Sequence, residues 1–377
     1  MSDSRLKVLT IFGTRPEAVK MAPVIKELQR RSDQIHTKIC VTAQHRDLLD
    51  QVLDVFQIQP DYDLQVMKER QSLSYLTASI LTKLDPILQE EKPDWILVQG
   101  DTTTVVTGAL AGFYHRIRVG HIEAGLRTGD KYSPYPEEIN RRITGQIANL
   151  HFAPTEWTRD NLLREGFAPE SVHVTGNTVI DALFEMVGRE APVSNDPLWS
   201  RLQPDRRLIL VTAHRRENFG APFEEICSAL IDLAKSYADS VQIVYPVHPN
   251  PHVRERAYAR LGAIDNILLT EPVEYFSFAH LMKRAYLMLS DSGGIQEEAP
   301  SLGIPVLVLR ESTERPEGVA AGTLRLVGSD RRRIVAEASR LLDDPVEYAS
   351  MAHAANPFGD GHASERIVDL LCGYPAI

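Results

Sequence analysis

Short apolar runs rich in β-branched residues alternate with amphipathic stretches along nearly the whole chain. KVLTIFG (Lys7–Gly13), TKICVTA, DWILVQG, RVGHIEA, LHFAPT and SVHVTGN are almost unbroken apolar segments. That pattern predicts strands buried on both faces. Between them, apolar positions recur with helical spacing. Pro16–Arg31 predicts a helix with proline in its first turn. SLSYLTASILTKLDPILQEEK predicts another, with Pro86 as a candidate kink. TTTVVTGALAGFYHR, PEEINRRITGQIAN and EWTRDNLLREGF complete the first series of helices.

The alternation stops at Ala191–Arg207, a stretch rich in Pro, Ser, Asn and Asp that reads as a linker and irregular segment. It then restarts with LILVTA, a helix across Phe223–Tyr237, VQIVYPV and a helix near Val253–Leu261. NILLTE, a helix near Phe278–Arg284, YLMLS, a helix from Gly294 and PVLVLR follow. Strands separated by helices mean parallel sheets covered on both faces. Two such series predict an α/β protein of two Rossmann-like, doubly wound domains, residues 1–175 and 176–361. A closing helix at about 362–377 is expected to pack back on the first.

Composition narrows the function classes. At 377 residues the chain suits two domains, and 43% hydrophobic with 24% charged residues is a globular balance. A net charge of −10 argues against nucleic acid or an anionic membrane as the main partner. The sequence has no apolar run of about 18 residues. The apolar run near its start is too short for a secretion signal. Cys40, Cys227 and Cys372 are widely spaced, so neither a zinc site nor a disulfide framework is expected, and a cytoplasmic location is.

In open parallel sheets, ligands bind beyond the carboxyl ends of the strands. Those ends carry the unusual residues here: GTRPEAVK, AQHRD, GDTTT and EAGLRTGD in the first half. HRREN, VHPN, DSGGIQEE and RESTERPE follow in the second. The simplest arrangement is two sheets presenting these edges to one cleft. Its cations would be Arg15, Lys20, Arg46, Arg127, Arg141, Arg142, His214, Arg215, Arg216, Arg310 and Arg315, an excess that suits a polyanionic small ligand. Taken singly, each is as well explained by a surface salt bridge.

Gly293 and Gly294 leave helix-terminal N–H groups open to a phosphate, and Ser292 can cap the helix or donate to a phosphate oxygen. Glu297 and Glu298 follow a turn further on, where a carboxylate is placed for the vicinal hydroxyls of a ribose. Asp101 and Glu123 stand at strand ends, and Glu137 and Glu138 at a helix start. As single residues they also fit as caps or as acids favoured by the helix dipole. Together they suit chemistry in which a cation develops on the substrate while an anion leaves. His214 supplies a proton donor or acceptor near pH 7. No GxGxxG, GxxxxGK[ST], GxSxG or HExxH pattern occurs, so no cofactor or catalytic metal is expected.

GTRPEAVKMAPV, VTAQHRDLLDQ, VQGDTTT, GHIEAGLRTGDKYSPYPEEINRR and TGNTVIDAL closely resemble the non-hydrolysing UDP-N-acetylglucosamine 2-epimerases of bacteria. So do TAHRREN, IVYPVHPNP, LSDSGGIQEEAPSLGIPVLVLRESTERPEG and NPFGDGHAS, and the resemblance runs through essentially the whole chain in order. It implies a glycosyltransferase-B-type fold and interconversion of UDP-GlcNAc and UDP-ManNAc through a bound 2-acetamidoglucal. It implies UDP contacts at Arg15, Lys20, Phe278, Ser292, Gly293, Gly294, Glu298 and Arg315, and catalytic roles for Asp101, Glu123, Glu137 and His214.

The resemblance also implies a homodimer, domain closure and a second UDP-GlcNAc acting as activator. That site would draw on Gln44, Arg70, Gln71, Glu137, Arg216 and His248; Asp47 stands where relatives often carry Gln. Three other readings compete. A glycosyltransferase of the same fold needs an acceptor, and a hydrolysing epimerase releases free ManNAc and UDP. A non-catalytic UDP-sugar sensor has no use for the acid and base residues.

Overall fold

The computed structural model describes residues 5–43, 46–67, 71–191 and 197–375. It divides into two compact units. One takes the chain up to Ala182 and again from Phe358; the other is Leu183–Pro357, so the division falls inside the helix Thr178–Gly188.

The first unit contains β1 (Leu6–Phe12), β2 (Ile35–Val41), β3 (Tyr62–Asp63), β4 (Trp95–Gln99), β5 (Arg118–Ile122), β6 (Leu150–Ala153) and β7 (Val172–Val174). They form one sheet in the order β3-β2-β1-β4-β5-β6-β7, parallel throughout. The second unit contains β8 (Arg207–Thr212), β9 (Val241–Pro246), β10 (Ile267–Thr270), β11 (Ala285–Ser290), β12 (Val306–Val308) and β13 (Leu324–Leu326). Its order is β10-β9-β8-β11-β12-β13, again parallel. Both units therefore belong to the doubly wound α/β class that the alternation predicts.

Burial explains why the strands read as continuous apolar runs. Every residue of β4 is buried, and Leu9, Ile11, Ile96 and Val98 pack with Ile80 and Leu84 of the helix Leu73–Glu91. That helix runs through Pro86 as one element. In the second unit Ile209, Val211, Ile243, Leu287 and Leu289 pack with Phe223 and Leu230. Each such side chain contributes about 1.5–3 kcal/mol by leaving water.

The closing helix, Ala363–Gly373, packs on the helix Arg15–Arg30 of the first unit. Buried Asp181 holds its start by accepting from the Ser364 N–H at 2.7 Å, the Ser364 hydroxyl at 2.6 Å and the Ala363 N–H at 3.2 Å. In the stretch expected to be irregular, residues 192–196 lie outside the described residues. Pro197–Ser200 forms a short helix, because Leu198 finds a buried position.

Strands β5 and β6 place His121 directly opposite His151, both buried. Burial pushes both imidazoles down from their ordinary value, to about 4 for His121 and about 3 for His151, so both are neutral in the folded chain at pH 7. A folded value below the unfolded one means that the unfolded chain binds more protons, so stability falls as pH drops below about 6.5. Each histidine is expected to cost about 2 kcal/mol between pH 7 and pH 5. In urea unfolding across that window, His151→Asn should reduce the pH slope by about one proton; an unchanged slope would contradict the assignment.

Candidate active site

A doubly wound sheet has a switch point where strand order reverses, and adjacent loops there part to opposite faces. In the first unit this lies between β1 and β4, and in the second between β8 and β11. The residues singled out from the sequence cluster at these points and at the neighbouring strand ends.

In the first unit the chain leaves β1 at Gly13 and starts the helix Arg15–Arg30. A Cβ on Gly13 would lie 1.9 Å from the Thr42 hydroxyl oxygen, so only glycine fits this turn. Glu17, buried in the first helical turn, accepts from the N–H groups of Gly13 (3.0 Å) and Thr14 (2.6 Å) and from the Thr102 hydroxyl (2.7 Å). It thereby fastens the loop after β1 to the loop after β4. Burial pushes its carboxyl up, and its hydrogen bonds, which favour the ionised form, only partly offset this.

Asp101 follows Gly100 at the end of β4. Its Oδ2 accepts from Arg141 Nε at 2.9 Å and pairs with Nη2 at 2.7 Å, and its carbonyl accepts from the Asn140 side chain at 2.8 Å. Both partners come from the helix Glu137–Ile147. Glu123 follows β5 at φ +64, a conformation that costs a non-glycine residue about 1–3 kcal/mol. Its carboxylate is held by Lys20 Nζ at 2.5 Å, by the Gln99 amide and by the Asn177 amide at 3.3 Å. Lys20, expected from the resemblance as a UDP contact, thus stands as the ion-pair partner of Glu123. Glu137 begins its helix, and its Oε2 is buried with no hydrogen-bond partner among the described residues.

In the second unit β8 leads through Ala213 to His214, and β11 leads to Asp291. Asp291 is fully buried. Its Oδ2 accepts from the N–H groups of His214 and Arg215, each at 2.8 Å, and from the Asn218 amide at 3.0 Å. Its Oδ1 lies 3.5 Å from His214 Nδ1. The His214 ring stacks on His248 at 5.3 Å. Burial lowers the His214 pKa, Asp291 opposes that shift, and the charges of His248 and Arg215 add to it.

The helix Gly293–Ser301 starts from Ser292, whose side chain makes no cap hydrogen bond. Its first N–H groups have no intrahelical partner. A Cβ built on Gly293 would sit 3.3–3.5 Å from the Arg315 guanidinium, so that cation lies over the helix start. Arg315 is oriented by Glu297 (Nε to Oε1, 2.7 Å) and Glu314 (Nη1 to Oε2, 3.1 Å). Glu298, buried a turn further in, accepts from the Tyr275 hydroxyl at 3.1 Å. Helix terminus and guanidinium together offer donors and charge suited to an anion, with a carboxylate behind them.

Of the other expected residues, Arg15 and Phe278 are partly buried, and Arg216 and His248 are exposed. Gln71 is partly buried, with its Oε1 lacking a hydrogen bond among the described residues. Gln44 and Arg70 lie outside the described residues, as do the side chains of Arg46 and Asp47. Three of the expected cations are engaged elsewhere: Arg127 with Glu165 at 2.8 Å, Arg142 with Glu138 at 3.0 Å and Arg310 with Glu217 at 2.6 Å. Sequence reading assigned no role to Glu17, Asp291 or Asn218. Among the described residues no group of three or more His, Cys, Asp or Glu is arranged to hold a metal. Nor is any helix there long and apolar enough to cross a membrane. A cavity of about 970 Å³ lies at the opposite edge of the first sheet, lined by Leu6, Lys92, Arg116 and Tyr374 among others. Lys92 caps the end of one helix and Arg116 follows the end of another, where the helix dipole accounts for a cation.

Comparison with known proteins gives a consistent result. The family model described as UDP-N-acetylglucosamine 2-epimerase matches residues 26–372. The UDP-N-acetylglucosamine 2-epimerase of Escherichia coli K12 is 57% identical over 97% of this chain and 98% of its own. That of Bacillus subtilis is 54% identical over 97% and 95%. The crystal structure of UDP-GlcNAc 2-epimerase from Neisseria meningitidis bound to UDP-GlcNAc is 50% identical, with TM-score 0.88 over 98% of this chain and 100% of that one.

The Glu17 contacts generate a direct test. Glu17→Ala leaves the buried Gly13 N–H and the partly buried Thr14 N–H and Thr102 hydroxyl without their acceptor, each worth up to about 1–3 kcal/mol when unsatisfied. Urea denaturation should show a loss of about 3 kcal/mol or more; a loss below about 1 kcal/mol would mean that the loops hold without it.

Proposed function

The chain belongs to the UDP-N-acetylglucosamine 2-epimerase family, and we propose that it interconverts UDP-GlcNAc and UDP-ManNAc by eliminating and re-adding UDP. The hydrogen on carbon 2 of the sugar is not acidic, because no carbonyl adjoins it. Breaking the bond from carbon 1 to the UDP oxygen makes carbon 1 oxocarbenium-like and acidifies that hydrogen. A base takes the proton, the electron pair forms a carbon 1–carbon 2 double bond, and UDP departs with the pair of the broken bond. The product is 2-acetamidoglucal. Proton return to the opposite face of carbon 2 and re-addition of UDP at carbon 1 complete the inversion, with atoms and charge balanced and no redox partner required.

Three demands follow, and the residues described above suit each. Departing UDP needs fixed positive potential, supplied by the Ser292–Gly294 helix terminus, Arg315 and Arg15, and charge from His214 when its ring is protonated. Glu298 takes the ribose hydroxyls, and Phe278 adds a further contact to UDP. Charge at carbon 1 is offset by Asp101, itself oriented by Arg141. Proton transfer falls to Glu123 and Glu137, with Asp101 the alternative. The observation that carries this reading is the contrast between two carboxylates at the edge of one sheet. Glu123 is clamped by an ammonium and two amides, whereas Glu137 keeps an oxygen with no hydrogen-bond partner among the described residues. Environments that differ in this way suit opposite proton-transfer roles.

On this reading the product UDP-ManNAc feeds cell-surface polysaccharide synthesis in the cytoplasm. A second UDP-GlcNAc activates the enzyme through Gln44, Arg70, Gln71, Glu137, Arg216 and His248, and the working form is a homodimer.

Turnover in D₂O should place one deuterium at carbon 2 of the product; unlabelled product after full conversion would exclude elimination. In the same assay Asp101→Asn, Glu123→Gln and Glu137→Gln should each lose about 100-fold or more in kcat while still binding UDP. A variant with near-normal turnover is not the group assigned.

A further inference from the structure

His214 has two ring nitrogens, and which one carries the proton decides what the ring can do to a bound ligand. The neighbourhood of Nδ1 answers this. Asp291 Oδ2 is fixed by three donors: the N–H groups of His214 and Arg215 and the Asn218 amide. That leaves Oδ1, which accepts no hydrogen bond among the described residues and lies 3.5 Å from His214 Nδ1. An ionised carboxylate accepts and cannot donate. The ring nitrogen facing it is therefore the one that carries hydrogen. At 3.5 Å the contact is longer than an ordinary hydrogen bond, and such contacts commonly tighten when a ligand is bound.

We propose that Asp291 is a positioning residue that holds His214 in the Nδ1–H tautomer and leaves Nε2 to exchange a proton with the ligand. The geometry is economical. One carboxylate fixes the His214 backbone through one oxygen and its ring through the other, so loop position and ring tautomer are set together. His248, stacked at 5.3 Å and 14° from parallel, limits rotation of the ring away from that carboxylate. The charged or titratable groups facing the imidazole are Asp291 from the loop after β11, His248 from the segment after β9 and the adjacent Arg215. Asp291 alone favours the protonated ring; His248 and Arg215 oppose it, as does burial. What Nε2 does rests on the proposed epimerisation, where it faces the departing diphosphate. How Nδ1 is held does not.

Asp291→Asn separates these statements. The asparagine oxygen can take over the three donors now bound by Oδ2, while its NH₂ replaces Oδ1 and donates to Nδ1. The tautomer then reverses to Nε2–H. In ¹⁵N-resolved NMR of the imidazoles, wild-type His214 should report Nδ1–H when neutral, and Asp291→Asn should report Nε2–H with a lower His214 pKa. The variant's kcat should fall about 100-fold or more, with its pH profile displaced and UDP affinity changed by no more than about threefold. The double variant His214→Ala/Asp291→Asn should lose little beyond His214→Ala alone. Wild-type His214 as Nε2–H, or an Asn variant with unaltered kcat and pH profile, overturns the proposal. The wild-type spectrum decides even where the variant fails to fold. Absence of epimerisation by the wild-type protein would instead overturn the function, and the tautomer measurement would still stand.

Discussion

One buried carboxylate at the switch point of each sheet fastens two non-consecutive loops, and four of the candidate site residues, Arg15, Asp101, His214 and Gly293, stand on those loops. Glu17 bridges the loops after β1 and β4, which carry Arg15 and Asp101. Asp291 bridges the loops after β11 and β8, which carry Gly293 and His214. Adjacent loops at a switch point part to opposite faces of the sheet, which opens room for a ligand and also leaves backbone N–H groups unpaired. Each carboxylate satisfies two of those N–H groups and takes a third donor from a side chain, the Thr102 hydroxyl or the Asn218 amide, and so fixes the spacing of the loops at once. The arrangement exposes reactive side chains on a rigid frame, which a catalytic site requires.

The strands were legible because burial on both faces leaves few polar positions to obscure them, as in Trp95–Val98 of β4 and Leu287–Leu289 of β11. The loops at the switch points stood out because glycines, acids and arginines concentrate beyond those strands. The two fasteners did not. Glu17 reads as an ordinary acid in the first turn of a helix, and Asp291 as a polar residue beside a glycine pair. Their importance lies in donors far away in sequence, and no local pattern encodes that. The cations were open in another way. Taken singly, Arg127, Arg142 and Arg310 read equally as ligand contacts and as salt-bridge partners, and they form ion pairs with Glu165, Glu138 and Glu217; an arginine at a strand end looks the same whether its partner is a ligand or a neighbouring carboxylate.

Membership of the epimerase family and the geometry of the sites bear on the same chemical problem, inversion at a carbon whose hydrogen is not acidic. Fixed dipoles and cations suited to a diphosphate sit at the second unit's helix terminus. Carboxylates in contrasting settings sit at the first unit's strand ends, where Lys20 and Arg141 hold Glu123 and Asp101 in place. The elimination proposed for them conserves electrons.

Proton NMR of UDP-GlcNAc incubated with the purified protein and nothing else tests the central claim most directly. Anomeric signals of UDP-ManNAc should grow to a constant ratio with those of UDP-GlcNAc, without accumulation of free UDP or free sugar. Unchanged UDP-GlcNAc, or the appearance of free ManNAc with stoichiometric UDP, would contradict the account.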